Sequence, residues 1–275
     1  MKPFLRWAGS KRKLLPQLTS FWSPDFERYV EPFMGSACFF FSVLPGRALL
    51  ADLNQELVAT YTEIRDNPDG VWDCLSGFRR SKRRYYECRR TQPSTLRRPE
   101  AAARFLILNR FCFNGIYRTN LRGEFNVPYA PTGTGSLPTK EDLFEYSRCL
   151  QGVVLKSADF EATLSEVKKG DFVYLDPPFA VRTRRVFREY GASIFGEHDL
   201  ARLAKCLERL DTIGAHFVVS YADCAEARHL LRPWRCARVR TRRHIAGFSS
   251  NRRHAFELVA TNITKQPPRI NEHTR

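Results

Sequence analysis

The sequence predicts an α/β protein in which one core-bearing domain is interrupted by a helical insertion. Three observations predict it. Short apolar strands alternate with helical stretches at both ends of the chain. Two of those strands stop at an aspartate followed by a distinctive loop, Asp52 and Asp176. The stretch between them, from about residue 66 to 148, turns arginine-rich and helix-patterned. A length of 275 residues suits one large core, which needs no disulfides, and is short for two independent enzymes.

In chain order, residues 11–18 have the pattern of an opening helix. Residues 28–30 form a short strand running into Glu31-Pro-Phe-Met-Gly-Ser36, and 37–44 begin a helix. A second strand, 47–51, ends at Asp52, and 54–65 is helical with Leu57, Val58, Tyr61 and Ile64 on one face. Asn67-Pro68-Asp69-Gly70 reads as a turn. Helical stretches follow at 71–79, 81–90 and 99–111. A hairpin over 119–129 has Arg122-Gly123-Glu124 at its tip, and a Gly/Pro/Thr/Ser loop covers 131–139. Strand–helix alternation resumes with strands at 152–156, 171–175 and 215–219 and a helix at 199–211. A twisted pair of strands, 236–241 and 255–261, closes the domain.

Composition narrows the class. Apolar residues at 43% and aromatics at 13% argue against disorder. No apolar run approaches a membrane span, because Pro45, Gly46 and Arg47 cut the richest one. The first residues, MKPFLRWAGSKRK, lack the apolar core of a secretory signal. Eight cysteines lie scattered without ligand spacing and read as reduced, mostly buried thiols of a cytoplasmic protein. The six histidines form no pair at metal or triad spacing, so no metal is expected.

Lys and Arg exceed Asp and Glu by 16. A polyanionic partner, either nucleic acid or an anionic membrane surface, is one explanation; a coding bias toward arginine, which outnumbers lysine 35 to 10, is another. Placement separates them. Residues 79–122 hold 13 basic residues and two acids, 228–253 hold nine arginines and no acid, and the other 205 residues carry a net −4. A uniform bias does not strip acids from two stretches alone, so the placement favours a polyanionic partner over a coding bias.

The chemistry concentrates at strand ends. Phe172-Val-Tyr-Leu175 stops at Asp176-Pro177-Pro178-Phe179, and ligands of open α/β sheets sit beyond the carboxyl ends of strands. The prolines fix φ and remove two donors, leaving carbonyls free to accept. A rigid carboxylate, a carbonyl and an aromatic face suit a planar ligand bearing an NH2 group. The plainer alternative is a strand end turned by prolines, with Asp176 capping a helix. The small-residue turn around Gly35 lets backbone approach a cofactor, and Asp52 can hold ribose hydroxyls. That spacing leaves a Rossmann oxidoreductase open, although GxGxxG is absent.

Six blocks then occur in a fixed order: Phe4-Leu-Arg-Trp-Ala-Gly-Ser-Lys11, Glu31-Pro-Phe-Met-Gly-Ser36, Ala51-Asp-Leu-Asn54, Asn109-Arg-Phe-Cys-Phe-Asn-Gly115, Gly123-Glu-Phe-Asn-Val-Pro128 and Asp176-Pro-Pro-Phe179. Together they resemble the Dam-like DNA adenine-N6 methyltransferases of the group with cofactor motif first, target recognition second and catalytic motif third. The matches run from residue 4 to about 262.

The resemblance implies a Rossmann-like class I methyltransferase sheet with a helical target-recognition insertion. A discontinuous catalytic domain at 1–65 and 149–275 would flank a target-recognition domain at 66–148. It implies S-adenosylmethionine as methyl donor, held by Trp7, Lys11, Gly35, Asp52, Asp159, Phe160 and Asp176. Asp176, Pro177 and Phe179 become the catalytic motif, gripping an adenine flipped out of double-stranded DNA. The family more often has Tyr at the position of Phe179, and many members have a second Gly at that of Ala37. Arg6, Phe113, Asn114, Ile116 and Arg118 become DNA contacts: Phe113 as a wedge in the base stack, Asn114 on phosphate, Ile116 and Arg118 reading bases.

GATC or a related short site is the implied target, though the loop after Pro128 lacks the basic residue that GATC readers often carry. Arg182, Arg184, Arg185 and Arg188 follow the catalytic motif and would border the flipped strand. A cognate restriction enzyme is a further expected partner. Two other readings stand beside this one: an amino-methyltransferase acting on cytosine N4 or on RNA, and a catalytically silent DNA-binding relative.

Overall fold

The computed structural model of the chain describes residues 1–7, 9–120, 122–132, 135–178, 195–242 and 254–264. Among them, seven strands form one sheet: β1 (Tyr29–Glu31), β2 (Ala48–Asp52), β3 (Val154–Ser157), β4 (Phe172–Leu175), β5 (His216–Ala222), β6 (Arg235–Arg242) and β7 (His254–Thr261), in the order β3-β2-β1-β4-β5-β7-β6. β3, β2, β1, β4 and β5 run parallel, and β7 is antiparallel to both β5 and β6. Every strand expected outside the 119–129 hairpin is present within a few residues, and the closing pair joins the main sheet through β5.

The central strands are apolar throughout because both faces are covered. Their two-residue period sorts side chains into two cores. Tyr29, Leu50, Phe172, Tyr174 and Val218 point to one, while Val30, Leu49, Val173, Leu175, Phe217 and Val219 point to the other. The strand order reverses between β1 and β4, so the loops after them diverge and open a cleft at the carboxyl edge. Edge strand β6 keeps Arg235, Arg238 and Arg240 exposed, a charged rim that resists pairing with another sheet.

Ten α-helices of the described residues frame this sheet. α1 (Leu15–Thr19) starts later than expected, with Pro16 in its first turn. α2 (Phe40–Val43) also starts late, because Ala37 has φ +47° and cannot continue a right-handed helix. α3 (Gln55–Asp66) matches its expectation, capped by the Asn54 side chain accepting from the Leu57 N–H. The Asn67-Pro-Asp-Gly sequence is not a turn but the start of α4 (Pro68–Ser76): Asn67 caps by accepting from the Gly70 N–H, and proline occupies the first turn. Turn-forming residues and N-cap residues are chemically the same set, hence the misreading.

α5 (Lys82–Arg90) and α6 (Arg98–Phe111) fall where expected. α7 (Lys140–Leu150), α8 (Phe160–Ser165) and α10 (Ala225–Leu230) were not anticipated; α9 (Glu197–Thr212) was. The hairpin is reduced to a single bridge between Thr119 and Phe125, with the Asn120 N–H donating to the Glu124 carbonyl.

The insertion does not build a separate core. Buried Val71, Tyr85, Phe105, Phe111 and Phe125 belong to the same apolar cluster as Phe4, Tyr29, Phe41 and Phe172. α6 is buried from Ala102 to Asn109, against α3, α4 and α5. Arg104 within it is 5% exposed, pairs with Glu56 at 3.1 Å and donates to the Cys88 carbonyl at 3.1 Å. Other arginines of the basic stretch also serve the fold. Arg80 donates to the Ala130 and Pro131 carbonyls, Arg89 to those of Asn126 and Val127, and Arg110 to that of Phe4. Arg79, Lys82, Arg90, Arg98 and Arg122 are exposed, and their side chains lack a hydrogen-bond or ion-pair partner among the described residues.

All eight cysteines are free; Cys38, Cys112 and Cys206 are buried and Cys236 is exposed. No helix of the described residues is long and apolar enough to cross a membrane.

Phe172 sits at the centre of the aromatic packing, fully buried within 6 Å of the rings of Trp22, Phe26, Tyr29 and Phe39. Phe172→Ala is expected to lower the unfolding free energy by about 3–5 kcal/mol, seen as a lower urea midpoint at unchanged slope. A loss well below 1 kcal/mol would contradict this packing.

Candidate active site

Four strand ends meet at the carboxyl edge. After β1 the chain turns through Pro32 to Ala37, anchored by the Met34 N–H on the Ala51 carbonyl at 2.9 Å. Gly35 has φ +44°, and a Cβ there would lie 2.8 Å from the Trp7 ring. Glycine is therefore required both by conformation and by the close approach of the indole. Trp7 in turn stacks on Tyr117 with centroids 5.7 Å apart. Ala37 carries positive φ without being glycine, a strain of roughly 1–2 kcal/mol held by the surrounding turn.

Asp52 ends β2. Its Oδ2 accepts from the Gly35 N–H at 3.0 Å and its Oδ1 from the Asn54 N–H at 2.9 Å, so backbone fixes the carboxylate while each oxygen keeps accepting capacity. Burial raises its pKa, and these N–H bonds work the other way. Half-exposed Leu53 follows, an apolar residue that the sequence reading passed over. The Ala158 N–H donates to the Asp52 carbonyl, which brings the Asp159–Phe160 corner alongside. Asp159 caps α8 through the Glu161 N–H and pairs with Arg202; Phe160 is buried, stacked on Phe33 and lying beneath the Arg202 guanidinium.

Asp176 follows β4. Its Oδ1 takes two contacts, the Lys11 ammonium at 3.0 Å and the Ser220 hydroxyl at 3.2 Å. Ser220 is bonded in turn to the buried Tyr174 hydroxyl at 2.9 Å. Oδ2 has no partner among the described residues, and the side chain is 20% exposed. Pro177 is buried, and its carbonyl accepts no hydrogen bond among those residues. Burial raises the Asp176 pKa against the lowering pull of Lys11. Lys11 is itself 5% exposed and also pairs with Glu257 on β7 at 3.0 Å. Burial works to lower its pKa, but Asp176 and Glu257 outweigh that and the net direction is upward. Phe179, Arg182, Arg184, Arg185, Arg188 and the late loop from Ser249 to Arg253 lie outside the described residues.

The expected DNA contacts gather on a neighbouring surface. Arg6 and Asn109 exchange hydrogen bonds, Arg6 N–H to Oδ1 at 2.9 Å and Nδ2 to the Arg6 carbonyl at 2.6 Å. The Arg6 side chain crosses Gly115, where a Cβ would come within 2.6 Å of it. Phe113 is 46% exposed, a large ring left in solvent. Asn114 is exposed in the left-handed region at φ +56°, which Asn tolerates. Ile116 is half-buried against the core. Arg118 donates from Nε to Asn126 Oδ1 at 2.8 Å, leaving its two terminal nitrogens without a partner among the described residues.

Sequence reasoning missed Glu257, Ser220, Tyr174 and Glu31. A signal existed for two of them: Glu257 and Ser220 interrupt otherwise apolar strands, and a polar side chain there needs a partner. No group of three or more His, Cys, Asp or Glu among the described residues is arranged to hold a metal ion.

A parallel sheet with a reversed seventh strand, a glycine turn and acids at its strand ends defines a Rossmann-like methyltransferase. The model of the D12 class N6 adenine-specific DNA methyltransferases matches residues 7–245, and the chain belongs to that family. It is 31% identical to a type II methyltransferase of Lactococcus lactis subsp. cremoris, M1.LlaDCHI, over 95% of each chain. It is also 31% identical to a DNA adenine methylase of Haemophilus influenzae, over 94% of this chain and 93% of the relative. A type II methyltransferase of Methanocaldococcus jannaschii, M.MjaIII, is 30% identical over 80% of this chain and 84% of its own.

Glu31 is 2% exposed and accepts from the Tyr29 hydroxyl at 2.7 Å. Burial pushes its pKa well above the usual carboxylate range; the Tyr29 bond opposes this and Asp176 adds to it. A carboxyl whose folded pKa is raised contributes stability that is full in acid and is lost as pH rises toward that pKa. Glu31→Gln should therefore gain stability relative to wild type by about 1.4 kcal/mol per pH unit above roughly pH 5, levelling off once pH passes the raised folded-state pKa. Urea unfolding across pH would show it; parallel curves would mean that Glu31 is ionised in the fold.

Proposed function

We propose that this enzyme transfers a methyl group from S-adenosylmethionine to N6 of an adenine flipped out of double-stranded DNA, at GATC or a related short site. The observation that carries the reading is the asymmetry of Asp176: Oδ1 is held by Lys11 and Ser220 while Oδ2 has no partner among the described residues. The adenine amino group has two hydrogens and a lone pair delocalised into the ring. Asp176 Oδ2 and the Pro177 carbonyl accept one hydrogen each, which favours tetrahedral character at N6 and aims its lone pair. Positioning and fixed charge supply the acceleration. Phe179 provides the stacking face, its missing hydroxyl notwithstanding.

The residues around Gly35 fit the methyl donor. A backbone-fixed carboxylate at Asp52 retains lone pairs for two ribose hydroxyls, and the Gly35 turn lies where a side chain would collide with Trp7. Lys11, Asp159 and Phe160 complete that binding region. Bound S-adenosylmethionine supplies an electrophilic methyl group on a sulfonium. In this reading residues 1–65 and 149–275 form the catalytic domain and 66–148 recognise the target.

On DNA, Phe113 wedges into the stack, Asn114 contacts phosphate, Arg6 approaches the site, and Ile116 and Arg118 read bases. The exposed Arg79, Lys82, Arg90, Arg98 and Arg122 add phosphate contacts. Relatives named as type II methyltransferases and as DNA adenine methylases leave room for a restriction enzyme of the same specificity as a partner in the cytoplasm.

Asp176→Ala is expected to abolish N6-methyladenine formation, read by mass spectrometry of nucleosides, while salt-sensitive DNA binding persists. Equal loss of both would sink the assigned role. Arg118→Ala should weaken or relax site choice by about 1–3 kcal/mol, read by sequencing modified bases after expression in an unmethylated host. An unchanged sequence profile would remove Arg118 from the readout.

A further inference from the structure

Strand β7 runs against the sheet, so its first residues lie at the edge where the parallel strands end. Its register places Val259 beside Ser220 and Glu257 beside Ala222, while Val219 lies beside Leu175. Alternation then selects the face. Leu258 and Ala260 enter one core and Val259 the other, which also takes Phe172, Tyr174 and Val218. Glu257 consequently points to the same side of the sheet as Tyr174, Ser220 and Asp176, and the Lys11 side chain spans the gap between the two carboxylates, 3.0 Å from each. Glu257 is 6% exposed, so this is a buried charge with a specific partner rather than a surface acid.

We propose that Glu257 is a positioning residue for methyl transfer, acting through Lys11 on the orientation and charge of Asp176. An ammonium has three donors on a flexible stem. Beside Glu257, it contacts Asp176 at Oδ1, 3.0 Å away. Released from Glu257, it can swing across to Oδ2 and occupy the acceptor that the adenine amino group requires. Its full charge would then also fall on Asp176 and weaken that carboxylate as an acceptor. Glu257 thus offsets part of the Lys11 charge and keeps Oδ2 available, without itself touching the base.

The inference rests on the reading of Asp176 as the acceptor of an N6 hydrogen, and the experiment separates the two. Full-length Glu257→Gln, Glu257→Leu and Glu257→Asp are assayed with S-adenosylmethionine and unmethylated genomic DNA, alongside Asp176→Asn. Thermal unfolding is recorded for each. The expected result is a fall in kcat on the order of ten- to a hundredfold for Gln and Leu, as for other small misplacements of reacting groups. KM for DNA should stay unchanged, and Asp, which keeps the charge, should recover part of the rate. An unchanged kcat in Glu257→Gln overturns the proposal. So does a loss that appears equally in KM and thermal stability, or an Asp variant no better than Leu. If Asp176→Asn retains full activity, the reading of Asp176 fails instead.

Discussion

One ammonium group conditions the rest of the site. Lys11 is buried between Asp176 and Glu257, and removing three charges from water costs several kcal/mol per ion unless they meet in good geometry. The arrangement holds only if the segment carrying Lys11 cannot move. The residues just before it supply that restraint: Phe4 is buried in the aromatic core, Arg6 is locked to Asn109 by two reciprocal hydrogen bonds, and Trp7 lies against Gly35 and Tyr117. Within eight residues this segment touches the insertion, the glycine turn and Asp176. It explains why an N-terminal stretch with almost no regular structure is so densely patterned.

The sheet and its acid-tipped strands were legible because their signals are local. A buried strand must be apolar along its length, and the residue that ends it at the carboxyl edge is free to be polar. Asp52 and Asp176 stand out for that reason. What escaped depends on tertiary context. Asn67-Pro-Asp-Gly carries the same residues as a turn, and only packing of α4 against α6 decides for a helix. Helix α8 spans six residues, too short for periodicity to register. Glu257 was the most consequential omission. Its acid is visible inside an apolar strand, but its meaning requires knowing that β7 runs backwards and delivers it to the end where β4 stops. No local pattern encodes that reversal.

Charge shows the same division. The excess of basic residues over 79–122 was legible as a total, yet the total mixes two uses. Arg80, Arg89, Arg104 and Arg110 donate to backbone carbonyls that would otherwise lack partners, tying helices and loops of the insertion together. Arginine suits this work because its fork of five donors serves several acceptors at once while its charge stays fixed. The remainder, Arg79, Lys82, Arg90, Arg98 and Arg122, stays exposed. A count from sequence alone therefore does not separate the arginines that serve the fold from those left exposed.

The shared core gives this placement a mechanical consequence. Because Phe105, Phe111 and Tyr117 pack in the same cluster as Tyr29 and Phe172, the insertion cannot shift as a separate body without disturbing the sheet. The N-terminal segment adds a second tie, polar rather than apolar, from Asn109 through Arg6 to Lys11. Asn109 lies near the end of α6, shortly before Phe113 and Gly115, and its two hydrogen bonds to Arg6 tie that end to the segment carrying Lys11, which contacts Asp176. The surface carrying Phe113 and the sheet edge carrying Asp176 are thus joined by packed side chains and hydrogen bonds. Such a connection opposes independent movement of the insertion and the carboxyl edge of the sheet.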